Sequence, residues 1–350
     1  MATPLRPTRR ELLQSSAAIG STLILPGKAP ALAAGKPFQG VELNVSCWSA
    51  PFSKLLQQSW TCDCYMAAAG RYDLVTQAGL SMPETFEEIE KVAAATNKQG
   101  VAGFLGDNRH GWNFPPYLQG FGGNVFRGAP DDLMPTLDTA EAVAAADFYS
   151  HLLREFGPNG VLSYSYDQVT AALKQGRANY ATEGHIFLMP AADPDSKAAK
   201  TVRYSMFPNG PAGQFPGFAT HAWGIPVGAK NKAASWEFVK WAMSKSMMMR
   251  AVTEKGYSSP SRRSVIESPE FKKRLDLNGN DVADIYLKTI ELAGGSDYMA
   301  YRIVPVFPQV DTLIGQAIER IVSKQMSAAE SMRQAQASAL ADLKRAGIRL

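Results

Sequence analysis

The sequence predicts an α/β fold in which layers of helices cover short strands. Amphipathic helical segments of roughly 12 to 18 residues alternate with short runs that have the pattern of strands. Capping motifs open several of these helices, and glycine or proline ends them. The 317 residues that follow a predicted export signal are enough for two domains with cores of their own.

Residues 1–33 have the composition of a secretory signal peptide. Arg9 and Arg10 precede an apolar, small-residue stretch at 17–25, and a small-x-small cleavage pattern ends at Ala33. That order of charged, apolar and cleavage regions is typical of exported proteins, and the paired arginines indicate the twin-arginine route. Two prolines near its end disfavour the alternative, an amphipathic surface helix. We therefore expect a periplasmic protein.

Most of the positive charge belongs to this signal. Residues 1–33 carry four basic side chains and one acidic side chain, so removing them changes the formal net charge from +4 to +1. A nearly neutral chain offers no electrostatic basis for binding nucleic acid or an acidic membrane. No other segment approaches the roughly 18 apolar residues that span a bilayer. We expect a soluble monomer without a nucleic-acid partner.

Three segments have the pattern of strands. Residues 41–47 alternate apolar and polar side chains, as the half-buried first strand of a domain does. Residues 201–207 alternate in the same way, and a strand is also predicted over 178–182. These strands are expected to form the sheets that the helices cover.

The helices are predicted from capping motifs and helical spacing. A further helix is predicted over 232–248, with Trp236, Val239 and Met243 on one face, and its tryptophans are expected in the core. Another helix carries Leu313 and Ile321. The predicted capped helix starts are Thr85-x-x-Glu88, Asp138-x-x-Glu141, Ser165-x-x-Gln168 and Ser327-x-x-Glu330.

The sequence lacks the short motifs of common catalytic sites. It contains no G-x-S-x-G, H-E-x-x-H, P-loop or G-x-G-x-x-G pattern, and its four histidines lack metal-ligand spacing. Cys62-x-Cys64 has no second ligand pair that would indicate zinc. The three cysteines fit either one disulfide or free thiols. We expect a binding protein that is not an enzyme and has no metal or cofactor.

Two kinds of side chain are candidates for contact with a ligand. Glu183 and His185 follow the strand predicted over 178–182, and strand ends are where open α/β sheets bind ligands. Hydrogen bonding to ligand hydroxyls, ordinary loop structure and acid–base catalysis are the alternatives for this pair. Trp112, in a glycine-rich loop predicted over 103–113, and Trp223 are candidates to stack on the apolar face of a sugar.

Several stretches, taken together, carry a resemblance to a known family. The chain resembles the extracellular solute-binding proteins of carbohydrate ABC transporters, a group that includes maltose- and glycerol-phosphate-binding proteins. The similar stretches occur in family order over almost everything after residue 62. They are Arg71-Tyr-Asp-Leu74, Gln77-Ala-Gly-Leu80, Pro83-Glu-Thr-Phe86-Glu-Glu, Gly120-Phe-Gly-Gly123-Asn-Val-Phe, Leu173-Lys-Gln-Gly176-Arg-Ala, Trp223-Gly-Ile-Pro226, Asn231-Lys-x-x-Ser235-Trp236-Glu-Phe238, Gly256-Tyr-Ser-Ser-Pro260-Ser-Arg262 and Met326-Ser-x-x-Glu330.

This resemblance implies two α/β lobes that are joined by crossing segments and close on a solute without changing it. A carbohydrate or polyol ligand and ABC permease subunits in the inner membrane would be the partners. The positions that match ligand-facing ones in the family are Trp48, the segment from Glu183 to His185, Trp223 and Arg262.

The chain departs from the family after its first strand and helix. Trp60 is followed at once by a segment from Thr61 that resembles the first hinge crossing, so about one hundred residues of the usual first lobe are absent. The resemblance then implies a remnant of lobe one and a complete lobe two. Lobe one would comprise 34–60 and 224–260, and lobe two would comprise 65–222 and 264–350.

Three other functions compete with this interpretation. A deletion variant of the same family would bind poorly or not at all. A secreted carbohydrate-active enzyme would use Glu183 and His185, but it needs a second convergent carboxylate. A polyamine or metal binder would require an acidic or histidine-rich cleft, which the nearly neutral sequence with four histidines disfavours.

Overall fold

The computed structural model describes residues 38, 40–43, 63–220, 222–295, 297–348 and 350. The chain divides into two compact units. The smaller unit contains residues 1–62 and 221–265, and the larger unit contains residues 63–220 and 266–350. Within the described ranges, no helix is both long enough and apolar enough to cross a bilayer.

A mixed sheet forms the centre of the larger unit. Its strand order is β2-β5-β1-β6, and β7 also pairs with β1. β2 runs parallel to β5, whereas β1 is antiparallel to β5, β6 and β7. β3 and β4 form a separate hairpin. The strands are β1 (Asp63–Arg71), β2 (Ala102–Leu105), β3 (Phe126–Gly128), β4 (Asp132–Pro135), β5 (Ala178–Gly184), β6 (Val202–Met206) and β7 (Phe218–Thr220).

The two central strands are buried on both faces. All seven residues of β5 are buried, and β1 contributes the buried run Ala67, Ala68 and Ala69. Continuous burial of this kind is expected where helices cover both faces of a sheet. Small side chains also let neighbouring groups approach closely: a Cβ at Gly103 in β2 would overlap the backbone carbonyl of Ala93.

Helices account for most of the remaining described residues. In the larger unit, α4, α12 and α13 pack against one another beside the sheet. The helices are α1 (Tyr72–Gln77), α2 (Phe86–Thr96), α3 (His110–Gly120), α4 (Ala140–Phe156), α5 (Tyr166–Lys174), α6 (His185–Leu188), α7 (Lys232–Ala242), α8 (Lys245–Lys255), α9 (Arg263–Ile266), α10 (Pro269–Arg274), α11 (Val282–Gly294), α12 (Phe307–Val322) and α13 (Ala328–Arg345).

Three of the four predicted capping boxes are confirmed. Thr85, Ser165 and Ser327 each accept a hydrogen bond from the third helical residue, whose side chain bonds back to the cap. The fourth prediction is wrong by one residue. Thr139, not Asp138, caps α4, because the Thr139 hydroxyl accepts a hydrogen bond from the Ala142 amide.

The predicted helix over 232–248 is two helices in the structure. Ser244 has extended backbone angles and its hydroxyl accepts a hydrogen bond from the Met247 amide, so it ends the run and opens α8. Trp236 was expected in the core by its helical spacing, but it is 55% exposed on α7. Helical spacing identified the apolar face of α7, but tertiary contacts determine how deeply each side chain on that face is buried.

The strands predicted over 178–182 and 201–207 are confirmed as β5 and β6. The first predicted strand is not: 41–43 have no regular secondary structure, and 44–47 lie outside the described residues. The glycine-rich loop predicted over 103–113 is also wrong, because it contains most of β2 and the first turn of α3.

Candidate ligand-binding site

The candidate site lies at one edge of the central sheet of the larger unit. Because β2 and β5 are parallel, their carboxyl ends reach the same edge. Asp107 follows β2, and Glu183 stands at the end of β5. The carboxyl edge is where open α/β sheets bind ligands, so this edge is the place to look for a solute.

Two carboxylates at this edge share one guanidinium. Asp107 and Glu183 are both fully buried. Arg109 donates from Nε to Asp107 Oδ2 at 2.5 Å and from Nη2 to Glu183 Oε1 at 3.0 Å. Asn113 Nδ2 donates to Asp107 Oδ1 at 2.5 Å. We call these four residues the Arg109 cluster.

Aromatic rings hold the guanidinium of the Arg109 cluster in place. The guanidinium carbon lies 5.0 Å from the ring centre of Tyr166 and 5.1 Å from that of Phe187. These distances are in the range of cation–π attraction. The Arg109 side chain is nevertheless 35% exposed, whereas its carboxylate partners are 0% exposed. Arg109 is therefore the part of the cluster that solvent reaches.

Burial sets the charge state of the Arg109 cluster. Desolvation raises the pKa of the Glu183 carboxyl, the negative charge of Asp107 raises it further, and Arg109 opposes both effects. A proton held on Glu183 leaves one carboxylate facing one guanidinium. The cluster is then electrically neutral, which avoids the high cost of an unpaired buried charge.

His185 packs inside the larger unit as a neutral ring. Burial lowers the pKa of His185 to about 3, and the side chain is 2% exposed. Its ring stacks on Tyr65 with centroids 4.0 Å apart. The Tyr65 amide donates to His185 Nδ1 at 3.4 Å. These contacts join the end of β5 to the start of β1.

Trp112 lies in the first turn of α3, so the prediction that it lies in a loop is wrong. Pro116 has no N–H, which removes the helical donor for the carbonyl of Trp112. Arg302 Nη2 donates to that carbonyl at 3.4 Å. The Arg302 guanidinium also lies 3.6 Å from the centre of the indole. One face of Trp112 is thus covered by a cation.

The other predicted contacts belong to the smaller unit. Trp223 is half-buried and meets Phe238 edge-on, with ring centroids 6.0 Å apart. Arg262 is exposed, and its Nε donates to the carbonyl of Met243 at 2.5 Å. Trp48 lies outside the described residues. Contact of any predicted residue with a solute stays a prediction.

Sequence reasoning missed Asp107, Arg109 and Arg302. A signal for the first two was present, because the apolar run from Val101 to Leu105 has the length of a buried strand. The three glycines of 103–113 favoured a loop instead, and that prediction missed both the strand and the polar residues at its end. Arg302 had no local signal, because its partner Trp112 is 190 residues away in the chain.

Comparison with known proteins agrees with this architecture. The bacterial extracellular solute-binding protein family matches residues 41–249. The mannitol-binding protein of Pseudomonas aeruginosa is 25% identical over 301 residues, which cover 79% of this chain and 67% of that protein. The erythritol/L-threitol-binding protein of Mycolicibacterium smegmatis is 25% identical over 239 residues, 64% of this chain and 48% of that protein.

Solved structures of ABC transporter solute-binding proteins share the fold. One from Agrobacterium vitis, with bound D-mannitol, has a TM-score of 0.69 and 22% identity over 82% of this chain and 72% of its own. Another, from Agrobacterium radiobacter with ribitol, has a TM-score of 0.68 and 22% identity over 79% and 69%. These matches confirm the predicted two-lobed α/β class, and they extend over chains longer than this one. The chain belongs to the bacterial extracellular solute-binding protein family.

Proposed function

We propose that this chain is the exported solute-binding component of an ABC importer and that it captures a neutral sugar or polyol. The observation that carries the proposal is the Arg109 cluster at the carboxyl edge of the sheet, in which one partly exposed guanidinium bonds to two buried carboxyl groups. Relatives named for mannitol and for erythritol or L-threitol support the same ligand class. ABC permease subunits in the inner membrane would receive the solute.

The electrostatics of the Arg109 cluster favour a ligand without formal charge. Asp107 and Glu183 are fully buried, and Arg109 is bonded to both. A phosphate would have to compete with Asp107 for the guanidinium, and an ammonium group would meet the exposed cation first. Hydroxyl groups avoid both costs, because they donate and accept hydrogen bonds without carrying charge.

The same geometry argues against a glycoside hydrolase. Such an enzyme usually places two carboxyl groups on either side of the scissile glycosidic bond, about 5 to 10 Å apart. Asp107 and Glu183 are instead held by one guanidinium, and neither is exposed. His185 is stacked in the core, 2% exposed. We infer that the solute leaves chemically unchanged.

Binding without turnover is directly measurable. We expect calorimetric or thermal-shift screening with D-mannitol, ribitol and common mono- and oligosaccharides to identify a ligand that chromatography recovers intact. Each titrated sample provides its own control for chemistry, because the solute is analysed before and after incubation. Hydrolysis by the purified protein that disappears in Glu183→Gln would replace this proposal with the enzyme interpretation.

Export is the second part of the proposed function. We expect cleavage near Ala33 or Ala34 and recovery of the mature chain from the periplasm, because residues 1–33 contain the three ordered regions of a signal. N-terminal sequencing of periplasmic material checks this expectation. Replacing Arg9 and Arg10 by lysine should block the twin-arginine route. Unchanged export of that variant would indicate the general secretory route, and a mature chain that begins at Met1 would contradict export altogether.

A further inference from the structure

Arg109 is the one member of the Arg109 cluster that a solute can reach from solvent. In the Arg109 cluster, both carboxylates are 0% exposed, whereas the Arg109 side chain is 35% exposed. A solute at the carboxyl edge of the sheet therefore meets the guanidinium before it meets Glu183. We propose that Arg109 is a specificity-determining ligand contact and that Asp107 and Glu183 are positioning residues that act through it. This proposal rests on the proposed solute-binding function.

The guanidinium is restrained by contacts on several sides. Nε donates to Asp107 and Nη2 donates to Glu183, and the rings of Tyr166 and Phe187 lie at cation–π distance. A long side chain that is already restrained loses little conformational entropy when a ligand binds. The restraint also gives the exposed part of the fork one orientation, so it can distinguish hydroxyl groups by their arrangement.

Glu183 contributes through this restraint, because it has no exposed surface of its own. Its Oε1 accepts hydrogen bonds from Arg109 and from the Gly184 amide at 2.7 Å. A glutamine at this position keeps an acceptor oxygen for these donors but removes the carboxyl that titrates. Glu183→Gln should therefore retain part of the positioning, whereas Glu183→Ala should lose it.

The Arg109 variants are chosen to distinguish contact with the solute from an ion pair that only stabilises the fold. Arg109→Met would leave Asp107 and Glu183 without their cation, which destabilises folded proteins strongly. The variant is therefore made alone and together with Glu183→Gln, which removes one of the two buried acids. Arg109→Lys keeps the charge but not the planar fork. Arg71 provides a matched control, because it pairs with Asp73 at 2.5 Å at the other end of β1.

The measurement is calorimetric titration of the full chain with D-mannitol and, separately, ribitol. Circular dichroism first establishes that each variant is folded. We expect Arg109→Met with Glu183→Gln to weaken binding at least tenfold. Arg109→Lys should change the ratio of the two affinities. Glu183→Gln alone should lose less affinity than Glu183→Ala, and Arg71→Met should stay within about twofold of the unmodified chain.

Each outcome supports or overturns the assignment. If the unmodified chain binds D-mannitol and folded Arg109 variants bind both polyols equally well, the Arg109 assignment is wrong and the proposed function stands. If Arg71→Met weakens binding as much as the Arg109 variants do, the effect is structural and the assignment is again wrong. If the unmodified chain binds no polyol or sugar, the proposed function fails and the assignment fails with it.

Discussion

Insertion of a family-length segment between Trp60 and Thr61 is expected to raise the affinity for a polyol by at least about tenfold. A site that closes around a small ligand typically removes about 70 to 90% of the ligand's surface from water. The chain covers 72% and 69% of the lengths of two structurally similar binding proteins, and the family resemblance implies that the missing stretch belongs to the first lobe. Titration of both lengths with the same polyol measures the difference.

Trp223 is the second residue whose contribution to solute binding can be measured in both chain lengths. If this half-buried indole stacks on the solute, Trp223→Ala should cost roughly 1 to 3 kcal/mol of binding free energy in the lengthened protein, because an apolar contact is lost. In the unmodified chain the same change should cost less binding free energy, because the solute is enclosed on fewer sides. Trp236→Ala is the matched control on the exposed side of α7. Equal, tight binding by the short and lengthened chains would show that the missing stretch is dispensable.

The stability of the larger unit is expected to fall as the pH rises above neutrality. In the folded chain the pKa of Glu183 is raised above its ordinary value of 4.5 by burial and by Asp107. Between the ordinary pKa and the raised pKa, Glu183 has lost its proton in the unfolded chain but keeps it in the folded chain. The free energy of unfolding therefore decreases as the pH rises through this interval. Thermal unfolding between about pH 6.5 and pH 9 should show a fall in Tm of roughly 3 °C or more.

Glu183→Gln should remove most of this alkaline loss, because the amide does not titrate. The charged or titratable groups that face Glu183 are Asp107, Arg109 and Tyr149, and burial raises the pKa of Tyr149 well above its usual range. Glu87→Gln is the control: the pKa of Glu87 is lowered by its exposed pair with Lys91. An alkaline loss that is equally large in Glu183→Gln would contradict the assignment to Glu183.

Two histidines should produce the opposite slope at acid pH. Burial lowers the pKa of His110 to about 4 and that of His185 to about 3. As the pH falls below the ordinary value of 6.5, these histidines become protonated in the unfolded chain but stay neutral in the folded chain. The free energy of unfolding therefore decreases as the pH falls. The free energy of unfolding should therefore pass through a maximum between the two regimes.

Local sequence signals were sufficient to predict features that depend on residues close together in the chain. The capping boxes at Thr85, Ser165 and Ser327 were predicted correctly, because a cap satisfies backbone groups within a few residues of itself. The strand predicted over 178–182 is likewise confirmed as β5. Family membership followed from many weak stretches in a constant order. The α/β class and the solute-binding role thus came from the sequence alone.

Only the tertiary structure decided which polar residues meet at the sheet edge. Arg109 and Glu183 are 74 residues apart in the chain, and the parallel pairing of β2 with β5 brings them together. Tertiary packing also makes Glu183 a buried partner of Arg109 and stacks His185 against Tyr65. In the smaller unit, Trp236 is exposed although its helical spacing predicted burial. Burial and charge pairing depend on neighbours that are distant in sequence, so no local pattern of residues encodes them.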